Sequence, residues 1–537
     1  MLNTSAAYKT AITASARTNF FKASFGFTPP GAAENATLSA SGEAEWSRLS
    51  QVNDDVSEFL KKWGTLELNR WVLDGSMTII DPNNETAQIG WWSDVMSGED
   101  GSFSSAPFIE YDLDKPYDLI GLTLNFDNPC GEWATNLTVE YYNSSGSPLN
   151  TISIEPTEPM VLVDSAQQGV KTIKVLFNEW CLPHRRAKVA EILPGQIFVF
   201  DDSNTNSFQL SEPIDFFSNS FNSPEFQIEF VNENGQFDML NPKGIFAYLS
   251  KNMKMTAEIG TELAGGSIEW VSVGEFFLYE IPGDQQTDTV KFVCRPAIAL
   301  YDDLTYPTEN KERTTVADVV DTIFQTIGMT DGYSVDSTLQ SIEVNGYCGD
   351  DVKISDAFAM IATAAAGYWK INRDGTYELL PIPTDFESTS AAALDYDSVL
   401  EKPQISSNRT TSVKVTGNFF KTISATEGYT DWTGFDVSVT ADVDDGNSVN
   451  ISSAFIAGRS VAQDVAEKAL AFYSHDLTFS SDYRGDPALQ AGDVAAIETD
   501  YGTMNGIIEQ LTLTFNNRSF LSGETVKGRG AAAPSES

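Results

Sequence analysis

The stretch FIEYDLDKPYDLIGLTLNF, residues 108–126, decides the fold. It reads as two strands, FIEYDL (Phe108–Leu113) and IGLTLNF (Ile120–Phe126), with a Pro-bearing break between them. The same signal repeats downstream in NLTVEYY (Asn136–Tyr142), TISIE (Thr151–Glu155), TIKVLF (Thr172–Phe177) and AKVAEI (Ala187–Ile192). Turn clusters such as NSSGSP (Asn143–Pro148) separate them. Short strands at close spacing predict a sandwich or jelly roll of roughly 100 to 130 residues.

A second strand-rich stretch runs from Ile197 to Ala299 and includes EFQIEFVNENGQFDML (Glu225–Leu240), MKMTAEIG (Met253–Gly260) and EFFLYEI (Glu275–Ile281). Near Thr314 the period changes. Val316, Val319, Val320, Ile323 and Ile327 line one helical face, with Thr314 or Thr315 as N-cap and Gly328 as the stop. A second helix is expected over SDAFAMIATAAAG, opened by Ser355 and ended by Gly367. YWKINRDGTYELLPI (Tyr368–Ile382) then reads as a hairpin turning at Asp374-Gly375. FESTSAAALDYDS (Phe386–Ser398) is a polar connection. Beyond Gln404 strands return: SVKVTGN, DVSVTADV, HDLTFSS, DVAAIET and GIIEQLTLTF. The helix RSVAQDVAEKALAFY (Arg459–Tyr473) interrupts them, with Ser460 and Gln463 expected to form a capping box. The tail AAAPSES is low-complexity.

The chain has 537 residues, too many for one core. Hydrophobic residues make up 41% of it, which places it among folded proteins. Acidic residues number 76 against 33 basic ones, a formal net charge of −43. Nucleic-acid binding needs a basic face, so it is not expected, and the same argument disfavours an anionic membrane surface. No apolar run of 18 residues occurs, so membrane insertion is not expected. The polar opening stretch has no apolar h-region, so no secretory signal is expected. Cys130, Cys181, Cys294 and Cys348 are far apart and form no CxxC. Zinc and a disulfide framework are therefore disfavoured, although Cys130 and Cys181 could meet across one sheet. HExxH, GxxxxGK[ST], GxGxxG and GxSxG are absent, and only His184 and His475 could serve a catalytic triad. No enzyme activity and no cofactor are expected.

The order of these pieces resembles the baseplate or tail-tip hub proteins of tailed bacteriophages. VNENGQFDMLNPKGIFAYLSKNMKMTAEIG (Val231–Gly260) followed by VSVGEFFLYEI (Val271–Ile281) is similar to the first hub β-domain of that family. The two helices and the Tyr368–Ile382 hairpin resemble its small middle domain. LQAGDVAAIETDYGTMNGIIEQLTLTF (Leu489–Phe515) and the later GRG (Gly528–Gly530) resemble its closing barrel. From about Trp71 to Gly195, including WWSDVMSGEDGSF (Trp91–Phe103) and a late strand Arg186–Ile192, RAKVAEI, the chain is instead similar to discoidin-like, galactose-binding-like jelly rolls. The resemblance implies a mainly β, multidomain fold: hub-type β-barrels, a small α/β domain and an inserted β-jelly roll. The expected parts are 1–70 and 196–300 for the first hub domain, 71–195 for the insert, 301–385 for the α/β domain, 386–530 for the second hub barrel and 531–537 for the tail.

This resemblance implies a structural virion protein, a homo-oligomer and expected trimer, ringing the tail channel. Its partners would be the distal tail protein and other tail-tip or tape-measure proteins. It would assemble in the host cytoplasm and reside in the virion tail tip. A modular carbohydrate-binding protein outside the virion and a cell-wall hydrolase are the alternatives.

The candidate ligand is a host surface glycan. Sugars present an apolar C–H face to flat aromatic rings and hydroxyls to polar side chains. Trp91 and Trp92 are adjacent, so on a strand one faces the core and the other, Trp92, is a candidate to stack. Trp133 and Trp180 sit in matching GEW and NEW contexts, each at a strand end, and would share a rim if those strands are neighbours. His184 and Arg185 follow in the loop Cys181–Arg185. The competing reading makes Trp180 a lid over the core, with arginines neutralising Glu132 and Glu179. Asp94, Glu99 and Asp100 could hold Ca²⁺, against a solvated turn, and VNENGQFD reads as a tight turn at Asn234-Gly235.

Overall fold

In the computed structural model the break in 108–126 does not separate two strands. Phe108–Asn125 is one strand of 18 residues, antiparallel to Met160–Trp180. The register shifts between Asp112 and Tyr117, and again before Leu119 and Gly121. Those irregularities absorb Pro116, which has no N–H for a regular ladder. Gly121 sits where an added Cβ would overlap the Val163 carbonyl oxygen, so the two strands close only on a glycine.

The structure describes residues 1–33, 35–44, 47, 49–53, 67, 90–126, 130–232, 235–241, 244–280, 288–301, 303–307, 312–386, 392–395, 398–424, 428–441, 446–500, 502–516 and 520–531. Asn234 of the expected tight turn lies outside them, while Gly235 is in the left-handed region (φ 62°). Two units share the chain: Ser24–Val199 with Asn234–Lys254, and Met1–Ala23 with Phe200–Glu233 and Met255–Ser537. Among the described residues no helix is long and apolar enough to cross a membrane.

The first of these units holds two sheets. One runs Thr37–Ala40, Phe108–Asn125, Met160–Trp180, Ala134–Tyr142, Pro148–Ile154, with Glu191–Leu193 also on Phe108–Asn125. The other pairs Trp91–Met96 with Arg186–Val189. Ile109, Tyr111, Leu122, Leu137, Val139, Ile173, Val175 and Phe177, all buried, fill its core. Thr37–Ala40 falls in the segment read as hub, yet it pairs with Phe108–Asn125, so the unit begins ahead of residue 71. Pairing partners of a four-residue strand are long-range and leave no local mark.

The second unit is built on a sheet that includes the run Lys254–Glu262, Ile268–Glu280, Thr289–Arg295, Glu225–Val231, Thr205–Pro213, Gly502–Asn516, Phe520–Ala531, Leu477–Tyr483, Gln404–Ser407. Among the described residues this path stays open rather than closing into the expected barrels. Its first element is the helix Ala6–Thr13, which precedes the strand Asn19–Phe27 of the same sheet. Ser5 caps that helix, and the buried Tyr8 donates to Asp486 Oδ1 (3.0 Å).

Helices Val316–Thr326, Ile354–Ala365 and Arg459–Tyr473 share one core with the sheet of Thr410–Ser424, Gly428–Thr440 and Asn447–Ser452. The expected division at residue 385 therefore runs through a common core. All five expected face residues of the first helix are buried. Thr315 is its N-cap, in a reciprocal capping box with Asp318. The second helix starts one residue early, after Lys353, and Ala366, not Gly367, takes the left-handed position (φ 49°). Gly367 instead opens the strand Gly367–Ile371 of the expected hairpin, where a Cβ would crowd the Leu380 carbonyl oxygen at 2.9 Å. The third helix has Gly458 as N-cap and no side-chain cap, so the Ser460–Gln463 box does not form. Gln463 bonds Glu467 instead (2.7 Å).

Thr315→Ala should destabilise its helix by about 1 kcal/mol, whereas Ser460→Ala should change stability by less than about 0.5 kcal/mol. Urea unfolding with amide exchange of both helices checks this. The Thr314 and Thr315 hydroxyls hold the Asp318 carboxyl below its usual range. The contribution of Asp318 is therefore present above the ordinary carboxylate pKa and lost as pH falls through the lowered one.

Candidate functional site

Strand Ala134–Tyr142 begins just after Trp133, and Met160–Trp180 ends at Trp180. The two are antiparallel neighbours with Ala134 opposite Trp180. Antiparallel pairing sets the start of one beside the end of the other, so Trp133 and Trp180 share one end of the sheet. Backbone bonding continues past the ladder, with Cys181 N–H donating to the Trp133 carbonyl (3.0 Å) and Trp133 N–H to Cys181 Sγ (3.4 Å).

The five candidate residues then part company. Trp180 is 2% exposed, turned inward edge-on to Phe126 with Nε1 donating to Glu132 Oε2 (3.1 Å). Trp92 is fully buried, and so is its neighbour Trp91, whose Nε1 donates to the Gly42 carbonyl (3.0 Å). Neither Trp92 nor Trp180 has a free ring face to offer a sugar. Arg185 is buried too, its Nε on Glu132 Oε1 at 3.1 Å. Trp133 and His184 remain half-buried at the rim. His184 adopts a left-handed backbone (φ 55°), and the Trp133 Nε1 is shielded from solvent with no acceptor among the described residues.

What gathers the buried residues is Lys188, which the sequence reading assigned only to a strand. Its side chain is fully buried, and Nζ reaches Glu67 Oε1 (2.8 Å), Glu132 Oε2 (2.7 Å) and the Arg186 carbonyl (3.1 Å). The ammonium lies 4.7 Å from the Trp92 ring centroid and 5.6 Å from that of Trp180. Lys188 and Arg185 carry two positive charges against the two negative charges of Glu67 and Glu132. Balanced pairing with complete hydrogen bonding is what lets such charges leave water. The indole faces add cation–π attraction in a desolvated setting. The cluster is thus a structural centre, and the tryptophans are its walls. One sequence signal could have found it: a lysine on a strand between apolar Ala187 and Val189, which an all-inward end of a sheet buries.

At the same end, Asp100 Oδ1 accepts from Ser102 N (3.0 Å) and Ser102 Oγ (2.6 Å), forming an Asx turn. None of the four cysteines is in a disulfide among the described residues, and burial raises the pKa of Cys181.

The second unit holds another buried charge. Arg373, in the hairpin turn, is 5% exposed and binds Glu212 through Nε and an Nη, both at 3.1 Å. It also donates to the carbonyls of Ser272 (3.1 Å), Leu489 (2.8 Å) and Pro487. Arg373 ties the hairpin to Thr205–Pro213 and to the 487–489 loop by the bidentate geometry that only arginine supplies.

No family model matches the chain, and no curated protein does. Among solved structures, the 43 kDa tail protein of prophage MuSo2 from Shewanella oneidensis shares 12% identity, covering 62% of this chain and 95% of that one at a TM-score of 0.41. Prophage tail protein gp18 from Listeria monocytogenes shares 8%, covering 62% and 91% at 0.39. A chitosan-binding module from a Paenibacillus sp. IK-5 chitosanase/glucanase shares 15%, covering 30% and 95% at 0.19.

Glu132→Gln leaves Lys188 and Arg185 short of one buried counter-charge and should cost about 3–5 kcal/mol. Urea unfolding read by tryptophan fluorescence checks it, since two of the indoles face the ammonium.

Proposed function

We propose that this protein is a structural component of a phage tail tip, a hub whose copies, three in number, surround the tail channel next to the distal tail and tape-measure proteins. The observation that carries the reading is the ladder between Thr205–Pro213 and Gly502–Asn516, seven residues in unbroken register from Ser207↔Asn516 to Pro213↔Gln510. It welds the strand-rich segment before the helices to the one after them, which makes a stiff body suited to assembly. The hub-like order of turn-and-strand motifs in the sequence supports the same assignment. Assembly would take place in the host cytoplasm, before the particle is released.

The two-sheet unit is the part that would meet host surface carbohydrate. Its candidate contacts are Trp133 and His184, which of the five candidate residues are the two that keep exposed surface. Trp92, Trp180 and Arg185 act behind them, as the charge cluster that holds the rim. Repeated copies on one tail would raise a weak contact by avidity.

A density map of the phage particle tests the first part: three copies around the tail axis are expected, and a location away from the tail refutes it. For the second, the full chain on an array of host-surface glycans should be retained, and Trp133→Ala should weaken retention about tenfold, or about 1.4 kcal/mol. A blank array, or retention indifferent to Trp133→Ala and His184→Ala, removes the glycan role.

A further inference from the structure

Lys188 Nζ lies between two carboxylates. Glu67 Oε1 is 2.8 Å away and Glu132 Oε2 is 2.7 Å away, and the three side chains expose 0%, 0% and 1% of their surface. An amine held against a carboxyl in a space without water is set up to condense with it. The two groups are already oriented, and the water that would reverse the reaction is excluded. An ammonium and a carboxylate that become an amide also leave no buried charge behind, and buried charge is the costly part of such a cluster.

The two carboxylates are held differently. Glu132 has both oxygens engaged, Oε1 by Arg185 Nε (3.1 Å) and Oε2 by Trp180 Nε1 (3.1 Å) and Lys188 Nζ. A carboxylate clamped on both oxygens does not turn its carbon toward the amine, but it is placed to carry a proton from Nζ. Glu67 Oε1 accepts from the Arg186 backbone N–H (2.8 Å) as well as from Nζ. That N–H is a fixed dipole on the oxygen that becomes an oxyanion when Cδ is attacked. The Arg186 carbonyl accepts from Nζ at 3.1 Å and so orients the amine. Trp92 and Trp180 close the space, their ring centroids 4.7 and 5.6 Å from Nζ.

We propose that Lys188 Nζ and Glu67 Cδ join as an amide in the folded protein, with Glu132 as the proton carrier. A bond forms between Nζ and Cδ, and the Cδ–Oε2 bond breaks. Two protons leave the ammonium, Glu132 carries each in turn to Oε2, and that oxygen departs as water. One positive and one negative charge are consumed, no oxidant or cofactor enters, and Arg185 stays paired with Glu132. The bond ties the strand Arg186–Val189 to a residue 121 positions before Lys188. A cross-link of that span restrains the unfolded chain as a disulfide does. The inference is independent of both the tail-tip and the glycan readings.

Intact-mass spectrometry of the denatured full chain, with peptide mapping, tests it. The protein is expected to weigh one water less than its sequence, and digestion to release a branched peptide joining Glu67 to Lys188. Glu67→Gln should form the same bond with ammonia leaving in place of water, and so reach the same final mass. Lys188→Met, which fills the space without an amine, should keep its full mass. So should Glu132→Gln, which keeps the amine and Glu67 but carries no proton. Circular dichroism checks that each variant is folded, and the Glu67→Gln result stands whether or not Glu132→Gln folds. A folded chain of full sequence mass overturns the bond, and so does a lost water without the branched peptide. A folded Glu132→Gln that cross-links as completely as the parent overturns the role of Glu132.

Discussion

The structure of the larger unit depends on one long-range pairing, that of Thr205–Pro213 with Gly502–Asn516. Aromatic stacking runs through it. Phe208 lies parallel to Phe515 (5.4 Å between centroids, 5° between planes) and stacks on Phe21 at 4.5 Å. Phe226 continues the row on the next strand, 5.6 Å from Phe208 and 5.2 Å from Phe276. Cross-strand aromatic pairs of this kind stabilise a sheet beyond the area they bury. The partners lie about 300 residues apart in the sequence, so this pairing closes the segment between them into one loop of the unit. Arg373 adds a second tie to the same strand through Glu212.

The smaller unit solves a different problem. Its two sheets enclose Lys188, and burying an ammonium is costly unless its charge and all its donors are met. Glu67, Glu132 and the Arg186 carbonyl meet them, and Trp92 and Trp180 close the space around the charge. Residues that look like a ligand platform in the sequence are therefore committed to the interior. Only Trp133 and His184 stay at the surface, and their positions follow from the loops that Arg185 and Trp180 anchor. A binding role and a buried ion cluster are compatible here because the cluster supports the rim without lining it.

Several elements were legible residue by residue. The Val316–Thr326 helix shows its full apolar face in the sequence, and its Thr315 cap is visible there. The Arg459–Tyr473 helix and the Tyr368–Ile382 hairpin were legible to within a residue or so. Caps were less legible where two residues compete. Ser460 is a good N-cap type, but Gly458 already holds the extended conformation at that position, and Ser460 is inside the helix. Ala366 adopts the left-handed turn that Gly367 would take more easily, because Gly367 is needed for close strand approach. The break at Pro116 was read as the end of a strand, since a local pattern cannot show that a neighbour will accept a bulge.

What the sequence determined by itself is the class of structure and the identity of its local pieces: mainly β, several domains, three of its helices, and a strongly acidic chain. Those properties depend on neighbours within a few residues or on sums over the chain, and both are written in the sequence directly. Tertiary structure decided which strand pairs with which, which tryptophans are interior and which charges are buried together. Each of those depends on a partner far away in sequence. The burial of Trp180 is set by Glu132 and Lys188, and that of Lys188 by Glu67 and Glu132.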